Sequence, residues 1–189
     1  LLLSLLTVHA ADNTTRWHTY LAMYNTIAVA EAENNVYAVA DGTLYSYGKS
    51  DDNIRVYSRQ TGLSDSDVRL IRYNASTRTL VIAYANGNID LMTSDGIYNL
   101  PFLKNTTNIQ DKTLNAIDLS GDRAYLSANF GILVIDLKKR EVAETYRLDR
   151  RTTATALLAG SIYAATDSGL LSAPTTANLM DVGNWKRVS

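Results

Sequence analysis

His9 and His18 are the only imidazoles in this 189-residue chain, and cysteine is absent. Disulfides, thiolate catalysis and cysteine-ligated zinc are therefore excluded. A Ser-His-Asp arrangement would have to use His18, and no nucleophile motif accompanies it. Beside Trp17 on an expected strand, His18 reads as a hydrogen-bonded structural residue. Neither a Walker loop nor a G-x-G-x-x-G turn is present to cradle phosphate. Two acidic clusters, "SDDN" at 50–53 and "SDSD" at 64–67, could present oxygens to calcium. Neither is followed by the glycine and glutamate that a calcium loop places at fixed offsets. Asp and Ser also stabilise turns through local hydrogen bonds, so solvated turns are expected at both. No catalytic residue, metal or cofactor is expected. A polysaccharide hydrolase or lyase would need paired carboxylates, or a His/Tyr pair, converging on one surface.

The scaffold behind these residues is legible as a repeat. "NNVYAVADGTLYSYG" (34–48), "RTLVIAYANGNIDLM" (78–92), "DRAYLSANFGILVID" (122–136) and "GSIYAATDSGLLSAP" (160–174) share one pattern. Each is an apolar run, a polar turn with glycine, and a second apolar run. Gly42, Gly87, Gly131 and Gly169 lie 45, 44 and 38 residues apart. That interval predicts an all-β propeller built from four-stranded antiparallel blades. Strands a to d are expected at 26–30, 36–40, 44–47 and 54–58; 68–73, 80–84, 89–92 and 97–102; 114–119, 124–128, 132–136 and 142–148; and 155–159, 162–166, 170–172 and 185–188. The b strands "VYAVA", "LVIAY" and "IYAAT" are apolar on both faces, as strands covered on both sides must be. The turns "DG", "NG", "NFG" and "DSG" supply the positive φ that tight hairpins require. A β-sandwich has no reason to repeat at a fixed interval. "TANLMDVGN" at 176–184 is the best candidate for a short helical insertion.

Because strands a to d alternate in direction, the b–c turns and d–a connections emerge on one face. Asp41, Asn86, Asn129 and Asp167 should ring that mouth, joined by Asp65 and Asp67. All six also suit hairpins and turns, which is the plainer account of them. Tyr37, Tyr45, Tyr47, Tyr84, Tyr125 and Tyr163 are expected to pack between blades. The segment "RWHTY" at 16–20 parallels "NWKRV" at 184–188 and reads as an outer strand able to complete the last blade. Four blades with such ends suggest an incomplete fragment of a larger propeller, with exposed terminal faces.

"LLLSLLTVHAADNTT" is an apolar run, then small residues, then polar ones, which reads as the remnant of a signal peptide spanning 1–11. Residues 12–189 are then exported propeller blades forming the N-terminal part of a longer multidomain protein. No other stretch approaches membrane-spanning length. A formal net charge of −1 gives no electrostatic reason to expect nucleic acid as a partner.

The segments "RWHTYLAMYNTIAVAEAENNVYAVADGTLYSY" and "IRVYSRQTGLSDSDVRLIRYNASTRTLVIAYANGNIDLM" resemble the N-terminal propeller of PorZ-like proteins, from the type IX secretion system of Bacteroidetes-type bacteria. "TGLSDSDVRLI" and "GILVIDL" are also similar to repeats in periplasmic sensors of hybrid two-component regulators. The first resemblance implies a non-enzymatic binding and assembly module at the cell surface. Its implied partners are other proteins of the secretion and attachment complex, and anionic lipopolysaccharide. The second implies a ligand-sensing periplasmic propeller instead. Basic residues in "LKKRE" (137–141) and "LDRR" (148–151) could touch a lipopolysaccharide phosphate, or simply keep the sheets soluble.

Overall fold

In the computed structural model, which describes residues 24–188, the repeat becomes four separate four-stranded antiparallel sheets. The first blade is β1 (Thr26–Glu31), β2 (Asn35–Ala40), β3 (Thr43–Gly48) and β4 (Ile54–Tyr57). The second is β5 (Val68–Asn74), β6 (Thr79–Tyr84), β7 (Ile89–Thr93) and β8 (Gly96–Leu100). The third is β9 (Leu114–Ser120), β10 (Arg123–Ala128), β11 (Gly131–Asp136) and β12 (Glu141–Arg147). The fourth is β13 (Thr152–Leu158), β14 (Ser161–Thr166), β15 (Gly169–Pro174) and β16 (Lys186–Arg187). Within each blade, sequential strands are neighbours. The first strands β1, β5, β9 and β13 touch in succession and form the inner wall.

Three apolar clusters bind blade to blade. Between the first two lie Val39, Leu44, Val68, Leu80, Ile82 and Tyr84. Between the second and third lie Val81, Ala83, Leu91, Leu126, Leu133 and Ile135. Between the third and fourth lie Tyr125, Ile132, Val134, Ile162, Ala164 and Trp185. Strand β6 shows why its sequence lacks alternation: Leu80, Ile82 and Tyr84 face one neighbour while Val81 and Ala83 face the other. All six of its residues are buried. At the outer sheets the covering stops. Ile27, Val29, Ile54 and Val56 of the first blade and Leu158 and Leu170 of the fourth are exposed. Tyr47, expected to pack between blades, is also exposed; its register on β3 turns it away from the second blade, and its hydroxyl donates to Asp52.

The inner wall is also stitched by polar contacts. Asn74 Nδ2 donates to Gly121 O at 2.8 Å, and Thr155 N donates to Asp118 Oδ2 at 2.9 Å. The Ser127 and Thr155 hydroxyls meet at 2.8 Å inside the blade interface. Thr152 is the exception, because its buried Oγ1 has no partner among the described residues. The residue at the corresponding start of β5 is the buried Val68. Thr152→Val keeps the shape and removes a desolvated hydroxyl, so it should stabilise the propeller by about 1 kcal/mol. A denaturation midpoint that falls in this variant would show that the hydroxyl has a partner after all.

Local departures have local causes. The strand expected at 97–102 ends at Leu100, because Pro101 has no N–H to pair. A single helical turn, α1 (Phe102–Asn105), follows and inserts Leu103 into the core. The expected insertion at 176–184 contains only a 3₁₀ turn at Val182–Asn184, where Asp181 accepts from Gly183 N. A second 3₁₀ turn at Arg59–Thr61 was not foreshadowed. The apolar leader 1–11, His9, His18 and the "RWHTY" strand lie outside the described residues. Among those described, no helix is long and apolar enough to cross a membrane.

Candidate binding face

One hydrogen bond recurs in every blade. At each b–c turn, a backbone N–H donates to the carbonyl just before that blade's first strand. Asp41 N reaches Asn25 O at 3.3 Å, Ala85 N reaches Asp67 O at 3.0 Å, Asn129 N reaches Thr113 O at 3.1 Å, and Asp167 N reaches Arg151 O at 3.1 Å. Turns and incoming connections therefore share one rim. The connection into the second blade also joins the first, since Val68 N donates to Gly42 O at 2.9 Å.

Of the six candidates, Asp41, Asp65 and Asp67 line one rim pocket of about 340 Å³, and Asn86, Asn129 and Asp167 lie outside it. Asp65 accepts from Asn86 Nδ2 at 2.6 Å and from Lys104 Nζ at 2.6 Å, with Asn88 Nδ2 at 3.4 Å. Burial alone would raise its pKa, but the Lys104 and Asn86 contacts outweigh that and bring it down to about 2. Asp67 is bridged by Arg69 Nε at 3.1 Å. Asn129 donates to Asp111 Oδ2 at 2.7 Å and accepts from Asn115 Nδ2 at 2.9 Å. That Asn129 contact leads the causes holding the Asp111 carboxyl below its ordinary range. Asp41 and Asp167 are exposed, and their side chains make no hydrogen bond among the described residues.

This arrangement does not resemble a cation site. In "SDSD" the place beside Asp65 is taken by an ammonium group, and in "SDDN" Asp51 accepts from Asn53 N while Asp52 accepts from Tyr47. Among the described residues, no group of three or more His, Asp or Glu could hold a metal ion. Lys104 escaped sequence reasoning because it belongs to the unforeseen turn α1, 39 residues from its partner. A second omission is Asp90, fully buried in β7. It accepts from Tyr84 Oη at 2.6 Å, Ser64 N at 2.8 Å and Asn99 Nδ2 at 2.9 Å. A lone acid inside the apolar "NIDLM" was the available signal for it. Burial, with Asp90 as acceptor, pushes the Tyr84 phenol far above its usual range, so it stays a donor.

The two basic stretches differ in disposition. "LKKRE" turns from β11 to β12 on the face opposite the rim, and its cations are engaged. Lys138 pairs with Asp122 at 2.7 Å, and Arg140 pairs with Asp95 at 2.9 Å while lying 3.7 Å over the Tyr98 ring. "LDRR" is on the rim. Arg150 donates to Ser168 Oγ at 2.7 Å, and neither Arg150 nor Arg151 forms an ion pair with the described residues. Both are exposed.

No curated protein matches the sequence. Residues 36–186 match the family model of the N-terminal beta-propeller domain of type IX secretion PorZ. The solved structure of PorZ, described as an essential bacterial surface component of the type IX secretion system of Porphyromonas gingivalis, superposes with a TM-score of 0.84 at 36% identity. That match covers 89% of this chain and 23% of PorZ, so the chain spans about a quarter of its relative's length. The extracellular domain of a putative hybrid two component system from B. thetaiotaomicron matches with a TM-score of 0.65 at 13% identity. It covers 87% of this chain and 22% of that one, a likeness of fold alone. With the repeat, the four blades and the family match in agreement, this chain belongs to the PorZ N-terminal beta-propeller family.

Proposed function

We propose that this propeller is a non-enzymatic binding and assembly module of a type IX secretion system. It acts at the cell surface, where its rim contacts partner proteins of the attachment complex and the phosphates of anionic lipopolysaccharide. The observation that carries the lipopolysaccharide contact is the Arg150–Arg151 pair, exposed on the rim and in no salt bridge among the described residues, with Asp111 near Arg151 but not paired to it. Solvated guanidinium groups on a rigid turn suit phosphate through bidentate hydrogen bonds. Similarity at 36% identity to a surface component of secretion supports this reading over a sensor, for which only the fold is alike. In the same reading, residues 1–11 are the remnant of an export signal, and 12–189 are blades of a larger propeller within a longer protein. Among the candidates, Asp65, Asp67, Asn86 and Asn129 then hold the rim through their side-chain contacts, while the exposed side chains of Asp41 and Asp167 are left to meet a partner.

Full-length protein carrying this propeller should bind immobilised anionic lipopolysaccharide and ignore a form lacking the anionic groups. The double variant Arg150→Glu/Arg151→Glu should weaken binding by about tenfold or more, chiefly through slower association. Undetectable association of the unaltered protein, or a variant as tight as it, would remove the lipopolysaccharide contact from the proposal.

A further inference from the structure

On the face opposite the rim, a cleft of about 560 Å³ separates the first two blades. That volume falls within the range of small-molecule sites. Half-buried Tyr37, Tyr57 and Tyr73 line it together with Arg55, Arg78 and Asp95. Two of these charges are already answered, Arg78 by Glu33 at 3.1 Å and Asp95 by Arg140 at 2.9 Å. The Arg55 guanidinium makes no hydrogen bond or ion pair among the described residues.

The same position is occupied differently from blade to blade. Arg55 pairs with Ser46, Tyr98 with Leu91 and Glu144 with Val134, each two residues beyond the buried Leu44, Ile89 and Ile132. At this shared position Tyr98 is roofed by Arg140, which the longer turn between β11 and β12 reaches across from the third blade. Glu144 accepts from Arg123 Nη1 at 3.0 Å and from Tyr146 Oη at 2.9 Å. The first blade's Arg55 faces the hairpin between β7 and β8, where only Ser94 and Asp95 lie between the strands. No side chain comes across to cover it. A smaller cleft of about 470 Å³ is also open between the third and fourth blades, but there the charge of Glu144 is already answered by Arg123.

We infer that this cleft is a second ligand site, distinct from the rim, for a sugar ring bearing one acidic substituent. Arg55 pairs with the acid, and the tyrosines pack against the ring and donate to its hydroxyls. Tyr37 and Tyr57 lie with ring centroids 6.3 Å apart and planes tilted by 46°, which gives a ligand two differently oriented aromatic surfaces. Burial first, and then the neighbouring Tyr57, push the Tyr37 phenol up to about 12, so it keeps its proton at neutral pH. A neutral aromatic wall with a single uncommitted cation selects for one negative charge on a polyhydroxylated ring.

Saturation-transfer NMR on the full-length protein, with galacturonate and galactose as probes, tests this. Galacturonate should bind, galactose should bind at least about tenfold more weakly, and Arg55→Ala should abolish the difference. Ser94→Trp, which fills the cleft from the exposed hairpin, should weaken both sugars without lowering the melting temperature. Arg150→Glu/Arg151→Glu should leave galacturonate binding unchanged, so that failure here is separable from failure at the rim. Displacement of galacturonate by anionic lipopolysaccharide would identify a lipid-borne glycan as the source, and displacement by soluble oligogalacturonides a free one. Equal binding of the two sugars, indifference to Arg55→Ala, or displacement by inorganic phosphate at equimolar concentration would overturn the proposal.

Discussion

Gly131→Ala should destabilise the propeller by about 3 to 5 kcal/mol, a cost on the scale of the most damaging single substitutions. Two causes combine. Gly131 has φ +139°, in the region that side chains rarely adopt, and a Cβ built there would lie 2.0 Å from Tyr146 O and 2.8 Å from Leu148 N. Both atoms are backbone, so no rotamer change can relieve the overlap. They cannot withdraw cheaply either, because Gly131 pairs with Arg147 in the ladder and Leu148 N donates to Phe130 O at 3.0 Å. Gly121 and Gly160 provide the control. Their φ values are +55° and +78°, and nothing lies within 4 Å of a Cβ at either. Alanine there meets only the backbone strain, about 1 kcal/mol. Chemical denaturation of the three variants separates close approach from strain. Similar losses at Gly131 and Gly160 would show that the third blade can open its c–d ladder freely.

The second large effect is expected at Asp90. Removing its carboxyl with Asp90→Ala leaves the Tyr84 hydroxyl, Ser64 N–H and one Asn99 proton without that acceptor in a buried site. The expected loss is about 3 kcal/mol. Tyr84→Phe removes one donor and should cost about 1 to 2 kcal/mol. Because the two groups share one hydrogen bond, the double variant should lose less than the two single losses added together. The network also has a reach that a simple core residue lacks. Ser64 begins the connection that carries Asp65 and Asp67 to the rim, and Asp90 fixes it through a 2.8 Å bond. Amide exchange across 64–67 should therefore quicken in Asp90→Ala more than in a core truncation of equal cost, such as one at Leu91. Strict additivity, or exchange no faster than in that control, would reduce Asp90 to an ordinary buried polar residue.

The architecture was readable because it is written in local terms. An apolar run, a glycine turn and a second run encode a hairpin, and repetition at a fixed interval encodes blades that must cover one another. Strand β6 is the clearest instance: six residues without alternation imply neighbours on both faces, and neighbours are what the structure supplies. The positive φ at Asp41 and Gly42 was likewise implied by their types. Even the early end of the strand expected at 97–102 has a local cause, the missing N–H of Pro101.

What the chain order could not convey is which polar side chains are spoken for. "SDSD" looks like a free acidic cluster until Lys104, 39 residues on, is found bonded to Asp65. "LKKRE" and "LDRR" look alike in sequence, yet the first is held by Asp122 of its own blade and by Asp95 of the neighbouring blade, while the second stays exposed on the rim. Arg55 is one strand arginine among several until the short hairpin of the next blade leaves it uncovered. Hairpins and apolar faces are fixed by neighbours a few residues away, whereas the partner of a charge is set by how blades stack, and that spacing is decided only in three dimensions.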